Sequence, residues 1–220
     1  MTSLLKIYVI HYEKLVERKT HMLKQLSSIG YECEFVSNWG KDVLTRKDKQ
    51  RFQNLKESEI SLALHHFECY KRIAEGDVPY AVIFEDDVVL GEQFREKFEK
   101  YLEELPHDFD MLFFGEGHGV HIPVYRRKHG VSLYKKSVLL KNNTPGGIDG
   151  STRCADSYVI SKKCCQKIVE IVNHPQYKVG MPLDHLLNYI NYNNQFNIYW
   201  SEPVLTRQGS IDGTFKSVLR

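Results

Sequence analysis

Short apolar runs alternate with longer amphipathic stretches along most of the chain. Ile7-Tyr8-Val9-Ile10, Tyr80 to Phe84 and Met111 to Phe114 are strand-sized runs, the pattern of strands covered on both faces. Leu4 to Ile10 is read as the first strand. A helix follows over Lys14 to Ile29, with Leu15, Met22, Leu26 and Ile29 on one face and Gly30 as its stop. Tyr31, Cys33 and Phe35 alternate with Glu32 and Glu34, a weaker strand signal. Lys41 to Lys56 is strongly charged and reads as a solvated, partly helical excursion. The clearest helix opens at Ser58, a candidate N-cap with Glu59 in the first turn. It carries Ile60, Ala63, Leu64, Phe67 and Ala74 as far as Gly76. Pro79 then leads into the strand Tyr80 to Phe84, which breaks at Glu85-Asp86-Asp87 before Val88-Val89-Leu90. Phe94, Phe98, Tyr101 and Leu105 mark another amphipathic helix.

After Phe114 the texture changes. Residues 115–130 hold four glycines and three histidines and read as a long loop, a feature often tied to function. Leu133 to Leu140 is a predicted strand, and Asn142 to Gly150 a Gly-rich turn region. Asp156 to Ile160 and a helix around Cys164 to Val172 restore the alternation. Pro182 starts a short helix through Asp184 and Leu187, and Trp200 to Arg220 is a polar tail with little periodicity. Alternating strands and helices predict an α/β fold with a mainly parallel central sheet flanked by helices.

The chain's 220 residues suffice for one sizeable core and predict a single domain over 1–220. A formal net charge of +2 gives little long-range attraction to nucleic acid. No apolar run approaches the roughly 20 residues of a membrane helix, and Lys6 interrupts the apolar stretch after Leu4-Leu5, so neither a transmembrane segment nor a secretory signal is expected. Five cysteines without a C-x-x-C pair point to free thiols in a reducing compartment. The expected location is cytoplasmic, peripheral at most to a membrane, and the sequon Asn142-Asn143-Thr144 is read as chance.

The informative chemistry lies at the acidic break. Glu85, Asp86 and Asp87 follow a buried strand, which places them at the carboxyl edge of the sheet, where open α/β folds bind ligands. Three acids packed together repel one another unless a cation or a shifted pKa relieves the strain. Hard oxygen donors select Mg²⁺ or Mn²⁺, ions that commonly hold phosphate oxygens. A solvated acidic loop is the plainer reading of the same triplet. No P-loop and no G-x-G-x-x-G occurs.

Ser58-Glu59-Ile60-Ser61-Leu62-Ala63-Leu64-His65-His66, followed by Pro79-Tyr80-Ala81-Val82-Ile83-Phe84-Glu85-Asp86-Asp87, resembles the core signature of glycosyltransferase family 25. That family includes bacterial lipooligosaccharide galactosyltransferases and collagen hydroxylysine galactosyltransferases. Ile7-Tyr8-Val9-Ile10 with Arg18 is similar to its first strand and following arginine. Pro182-Leu183-Asp184-His185 resembles its Pro-x-Asp motif, and Gln208-Gly209-Ser210 with Ser217 its closing segment. The chain departs from the usual Gly-Glu-Ile-Gly at Ser58 and Ser61, from Ser-His at His65, and from Asn-Leu at His11-Tyr12.

The resemblance implies a GT-A-like fold, a UDP-sugar donor, inversion at the anomeric carbon, and a glycan or hydroxylysine acceptor. Galactose is the sugar it favours, ahead of glucose or N-acetylglucosamine. It implies Mn²⁺ or Mg²⁺ held by Glu85 and Asp87, with Asp86 facing the ribose or sharing the ion. Asp184 is the candidate base, with Asp156 and Asp149 as weaker candidates. Arg18, Glu59, Gln208 and Ser210 are assigned to the donor side, and His66, seven residues after Glu59, shares its helical face. His118, His121 and His129 lack metal-ligand spacing and are read as surface residues. Trp39 and Trp200 are either sugar-stacking or core. A metal-dependent phosphohydrolase or nucleotidyltransferase, and a non-catalytic sugar-binding domain of the same fold, remain the competing functions.

Overall fold

The computed structural model describes residues 5–117, 119–136 and 151–216. In chain order the first elements are β1 (Lys6–Ile10), α1 (Val16–Ser28), β2 (Glu34–Val36), α2 (Arg46–Arg51), α3 (Glu57–Glu75), β3 (Tyr80–Glu85) and β4 (Val88–Leu90). They continue with α4 (Phe94–Glu104), β5 (Met111–Phe113), β6 (Leu133–Lys136), β7 (Ser157–Ser161), α5 (Lys162–Val172), α6 (Leu183–Asn194), β8 (Ile198–Ser201), β9 (Thr206–Gln208) and α7 (Gly209–Asp212). Short 3-10 turns occupy Lys41–Val43 and Val124–Arg126.

Among the described residues seven strands form one sheet in the order β2-β1-β3-β7-β5-β8-β6, and β4 pairs with β9 beside it. β2, β1, β3, β5 and β8 point one way, while β7 and β6 run against their neighbours. The mainly parallel sheet flanked by helices is therefore present. Its middle strand is reversed, which periodicity does not encode because a buried strand reads alike in both directions.

Strand alternation sorts the core into two layers. Tyr8, Ile10, Ala81, Ile83, Tyr158 and Ile160 face one way, packed with residues of α3, α5 and α6. Ile7, Val9, Val82, Phe84 and Val159 face the other, packed with residues of α1 and α4. Gly30 closes α1 with φ +76°, a left-handed position that glycine takes without steric cost.

Several boundaries differ from expectation. The N-cap of α3 is Lys56, not Ser58, because the Glu59 carboxylate reaches back and accepts from the Lys56 amide at 2.7 Å. α6 runs to Asn194, well past Leu187. The polar tail contains the end of β8, all of β9 and a helical turn. β8, buried at all four residues, and β9, three residues long, are too short to show a period. The predicted strand Leu133 to Leu140 is seen as β6 up to Lys136; residues 137–140, the turn Asn142 to Gly150 and the sequon lie outside the described residues. All five cysteines are free thiols.

The long loop after β5 is fastened from beneath by Arg153. This side chain is 1% exposed, and its guanidinium donates to Val120 O at 2.6 Å, Ser201 O at 2.8 Å and Glu202 Oε1 at 2.6 Å. The Ile122 amide donates to the same Glu202 oxygen at 2.9 Å. Arg153 also lies over the ring of Trp200, 5.0 Å from its centroid, so Trp200 is a core residue rather than a sugar platform.

Candidate active site

β1 and β3 end side by side, with Ile10 opposite Glu85. The chain leaves β1 through His11-Tyr12 and leaves β3 through Asp86-Asp87 into β4. Ala81 and Ile83 face α3, so the period of two sends Glu85 to that side as well. There its Oε1 lies 4.0 Å from His66 Nε2. The reversed strand β7 brings its beginning, not its end, to this edge, and the Asp156 carbonyl accepts from the Glu85 amide at 2.7 Å. Asp184 sits half-buried in the first turn of α6, immediately after Pro182.

Four carboxylates, Glu85, Asp87, Asp156 and Asp184, thus stand within electrostatic reach of one another, and three carry pKa values displaced upward. For Glu85 the cause is burial, reinforced by the charges of Asp87, Asp156 and Asp184. For Asp87 burial again leads, opposed by a hydrogen bond from Ser210 and by the Arg18 charge. Asp156 is pushed up to about 7 by burial and by Asp87 and Asp184, despite the hydrogen bond it accepts from Ser157 Oγ at 2.8 Å. Asp156 Oδ1 and Asp87 Oδ1 are buried acceptors without a hydrogen-bond partner, which costs about 1–3 kcal/mol each. Gly115 forms the wall: a Cβ there would stand 2.4 Å from Ser157 Oγ and 2.5 Å from Asp156 Oδ2.

Those orphaned oxygens fit a divalent cation. Among the described residues no three His, Cys, Asp or Glu side chains are close enough to enclose an ion by themselves. A Mg²⁺- or Mn²⁺-type site, completed by water and ligand oxygens, needs only one or two protein carboxylates. Cys154 adjoins the acids in a left-handed conformation, φ +57°, and its thiol is pushed well up by burial and then by the charges of Asp184 and Asp156, so it stays protonated.

Asp86 is differently employed. Its Oδ1 accepts from Arg18 Nη1 at 2.8 Å, and its Oδ2 lies 2.8 Å from His11 Nδ1. Both oxygens are engaged by the protein, and Asp86 holds Arg18 in place at the pocket wall. Arg18 is buried rather than solvated, 3.8 Å from Asp87 Oδ2, and its Nη2 donates to Lys216 O at 2.6 Å. The tail closes over this corner. Gln208 pairs with Val88, the Gly209 amide donates to Asp87 O at 2.8 Å, and Phe215 lies under Arg18. Gln208, Ser210, Arg18, Glu85, Asp86 and Asp87 line one pocket.

Not every expected residue arrives. Glu59 is spent on the α3 cap and does not line the pocket, because a first-turn acid is captured by the free amides of its own helix. It does not meet His66, which is buried against Tyr158. Trp39 packs partly buried on the core, His121 pairs with Glu202 at 3.1 Å, and His129 is exposed. Asp149, His118 and Ser217 lie outside the described residues. No pattern in the sequence marks the Arg153–Glu202 pair, whose partners lie 49 residues apart. Asp156 could have been ranked higher from one signal, an acid abutting the apolar run Tyr158-Val159-Ile160.

An acidic break after β3, with further acids delivered to the same edge of a mainly parallel sheet, defines the candidate site of an α/β fold. The family model of glycosyltransferase family 25 (LPS biosynthesis protein) matches residues 4–187, and the chain belongs to that family. It is a glycosyltransferase by family, which sets aside the phosphohydrolase or nucleotidyltransferase reading. No curated protein sequence matches the chain. Among solved structures it is similar to a galactosyltransferase LgtC in complex with donor and acceptor sugar analogues, at 11% identity, covering 84% of this chain and 70% of that one with a TM-score of 0.46. It is also similar to a glycosyltransferase involved in glycosylation of the major capsid of PBCV-1, at 8% identity, 97% and 100% coverage and a TM-score of 0.46. Mouse xyloside xylosyltransferase 1 is similar at 10% identity, 87% and 69% coverage and a TM-score of 0.42. No helix among the described residues is long and apolar enough to cross a membrane.

Proposed function

We propose that this glycosyltransferase moves a hexose, galactose in the first instance, from a UDP-sugar to a hydroxyl of a glycan or hydroxylysine acceptor, with inversion. The observation that carries this reading is the pair of buried, unsatisfied carboxylate oxygens on Asp87 and Asp156, beside Glu85. Such a corner is stable when a divalent cation shares it, and the cation then supplies charge stabilisation to a departing diphosphate.

Within that reading Asp87 and Glu85 hold Mn²⁺ or Mg²⁺, with Asp156 facing them from β7. Arg18, fixed by Asp86, presents its guanidinium beside Asp87 and adds positive charge on the donor side. Asp184 accepts the proton of the acceptor hydroxyl. It suits that role better than Asp156, because it is half-buried whereas Asp156 is 1% exposed, and an acceptor must reach the base directly. Gln208 and Ser210 close over the donor and exclude water.

Isothermal titration of UDP with and without Mn²⁺ tests the site. Asp87→Ala should abolish the Mn²⁺-dependent part of binding, and retained binding refutes the metal assignment. Asp184→Asn should bind UDP-galactose as the parent does while turnover falls by a factor on the order of 10² or more; undiminished turnover removes it as the base. A parent protein that binds donor without turning it over, with any acceptor hydroxyl, is the sugar-binding domain instead.

A further inference from the structure

Behind Glu85 runs a buried chain of polar groups that the transfer chemistry above leaves unused. The Tyr70 and Tyr158 hydroxyls are 2.7 Å apart, and Tyr158 Oη is 2.7 Å from His66 Nδ1. Tyr70 and Tyr158 show no measurable exposure, nor does His66. The imidazole lies parallel to the Tyr158 ring, centroids 5.9 Å apart at 9°, and is fully buried. Its other nitrogen, Nε2, has no hydrogen-bond partner, and Glu85 Oε1 stands 4.0 Å from it.

Proton counting along the chain fixes its direction. Suppose Nδ1 carried the hydrogen. It would donate to Tyr158, Tyr158 would donate to Tyr70, and the Tyr70 hydrogen would be left without an acceptor among the described contacts. In the opposite direction Tyr70 donates to Tyr158, Tyr158 donates to Nδ1, and the hydrogen sits on Nε2, aimed at Glu85. Every donor then has an acceptor or faces one. Burial holds the ring in its neutral form, in which a single tautomer can be selected.

We propose that His66 is a positioning residue for Glu85: the Tyr70–Tyr158 hydroxyl pair locks the imidazole as its Nε2–H tautomer, and that N–H orients the Glu85 carboxylate toward the sheet edge. The separation of 4.0 Å is beyond a hydrogen bond; it shortens when Glu85 takes up its working position, as site contacts do on ligand binding. The role of Glu85 itself rests on the proposed function, whereas the state of His66 does not.

The experiment therefore has two arms. In the whole protein without metal, nitrogen chemical shifts of His66 should show a protonated Nε2 and an unprotonated Nδ1. Tyr158→Phe should abolish that preference, while Tyr70→Phe should keep it, because Tyr158 can still donate to Nδ1. A protonated Nδ1 in the parent overturns the inference whatever the metal data show. In the second arm, Mn²⁺ affinity is measured by water-proton relaxation. His66→Phe should weaken it by about tenfold, the effect of one lost hydrogen bond to a charged group. His66→Gln, which keeps an N–H at that end, should restore most of the affinity. Equal losses in both variants refute the positioning role. If the tautomer is as stated but Glu85→Gln leaves Mn²⁺ affinity untouched, it is the metal assignment of Glu85 that fails.

Discussion

Asp156→Asn offers the sharpest measurement of how costly the acidic corner is without its cation. The Asp156 carboxyl is displaced from the ordinary 3.8 to about 7. Below about pH 4 it is protonated in both the folded and unfolded chain. As pH rises the unfolded chain releases this proton first, and the folded chain holds it until about pH 7, so the group removes stability over that interval. Three pH units at about 1.4 kcal/mol each amount to about 4 kcal/mol, a large part of the 5–15 kcal/mol typical of a domain. Between pH 5 and pH 8 about 3 kcal/mol of this is traversed. Urea denaturation in EDTA should show the parent less stable at pH 8 than at pH 5. In D156N, uncharged throughout, the difference should shrink by up to about 3 kcal/mol, the remainder coming from Glu85 and Asp87, which are displaced in the same direction. A pH 5 to pH 8 difference in D156N equal to the parent's would show that Asp156 is not a buried, strained acid. Mn²⁺ at saturating concentration should narrow the parent's difference, since a ligand bound only by the folded state stabilises it.

Gly115→Ala places a methyl 2.4 Å from Ser157 Oγ; Asp156 must move, and differential scanning calorimetry should show about 1–3 kcal/mol lost, with Mn²⁺-dependent UDP binding weakened alongside. Glu202→Gln leaves the buried Arg153 guanidinium uncompensated and should cost about 3–5 kcal/mol by urea denaturation; a cost below 1 kcal/mol would mean that the loop is held by other contacts. Arg18→Met frees Asp86 and detaches the tail, so proteolysis should cut near residue 216 faster than in the parent, and UDP should bind at least tenfold more weakly by calorimetry.

The layers of the fold were legible where burial imposes a period. The apolar run Tyr80 to Phe84 marked a buried strand, and Met22 and Leu26 marked the inner face of α1. The acidic break was legible because polar residues interrupt an apolar run abruptly. What escaped was set by partners distant in sequence. The reversal of β7 depends on which strands flank it, and the capture of Asp86 by Arg18 and His11 joins positions 68 and 75 residues apart. Glu59 caps its own helix through the Lys56 amide, a local contact that helical spacing does not reveal. β8 and β9 were missed because three or four residues carry too little pattern to stand out from a loop.

The lid residues have a consequence for synthesis. Arg18 receives one of its partners from Lys216, and Asp87 receives two from Gly209 and Ser210. A nascent polypeptide can assemble β1, β2 and β3 long before those partners leave the ribosome. Until then the acidic corner stays uncovered and its arginine incompletely tethered. Premature termination shortly before residue 209 should thus yield a chain with most of its sheet built and no working donor pocket, so competence would be conferred only once residues 209–216 have been added.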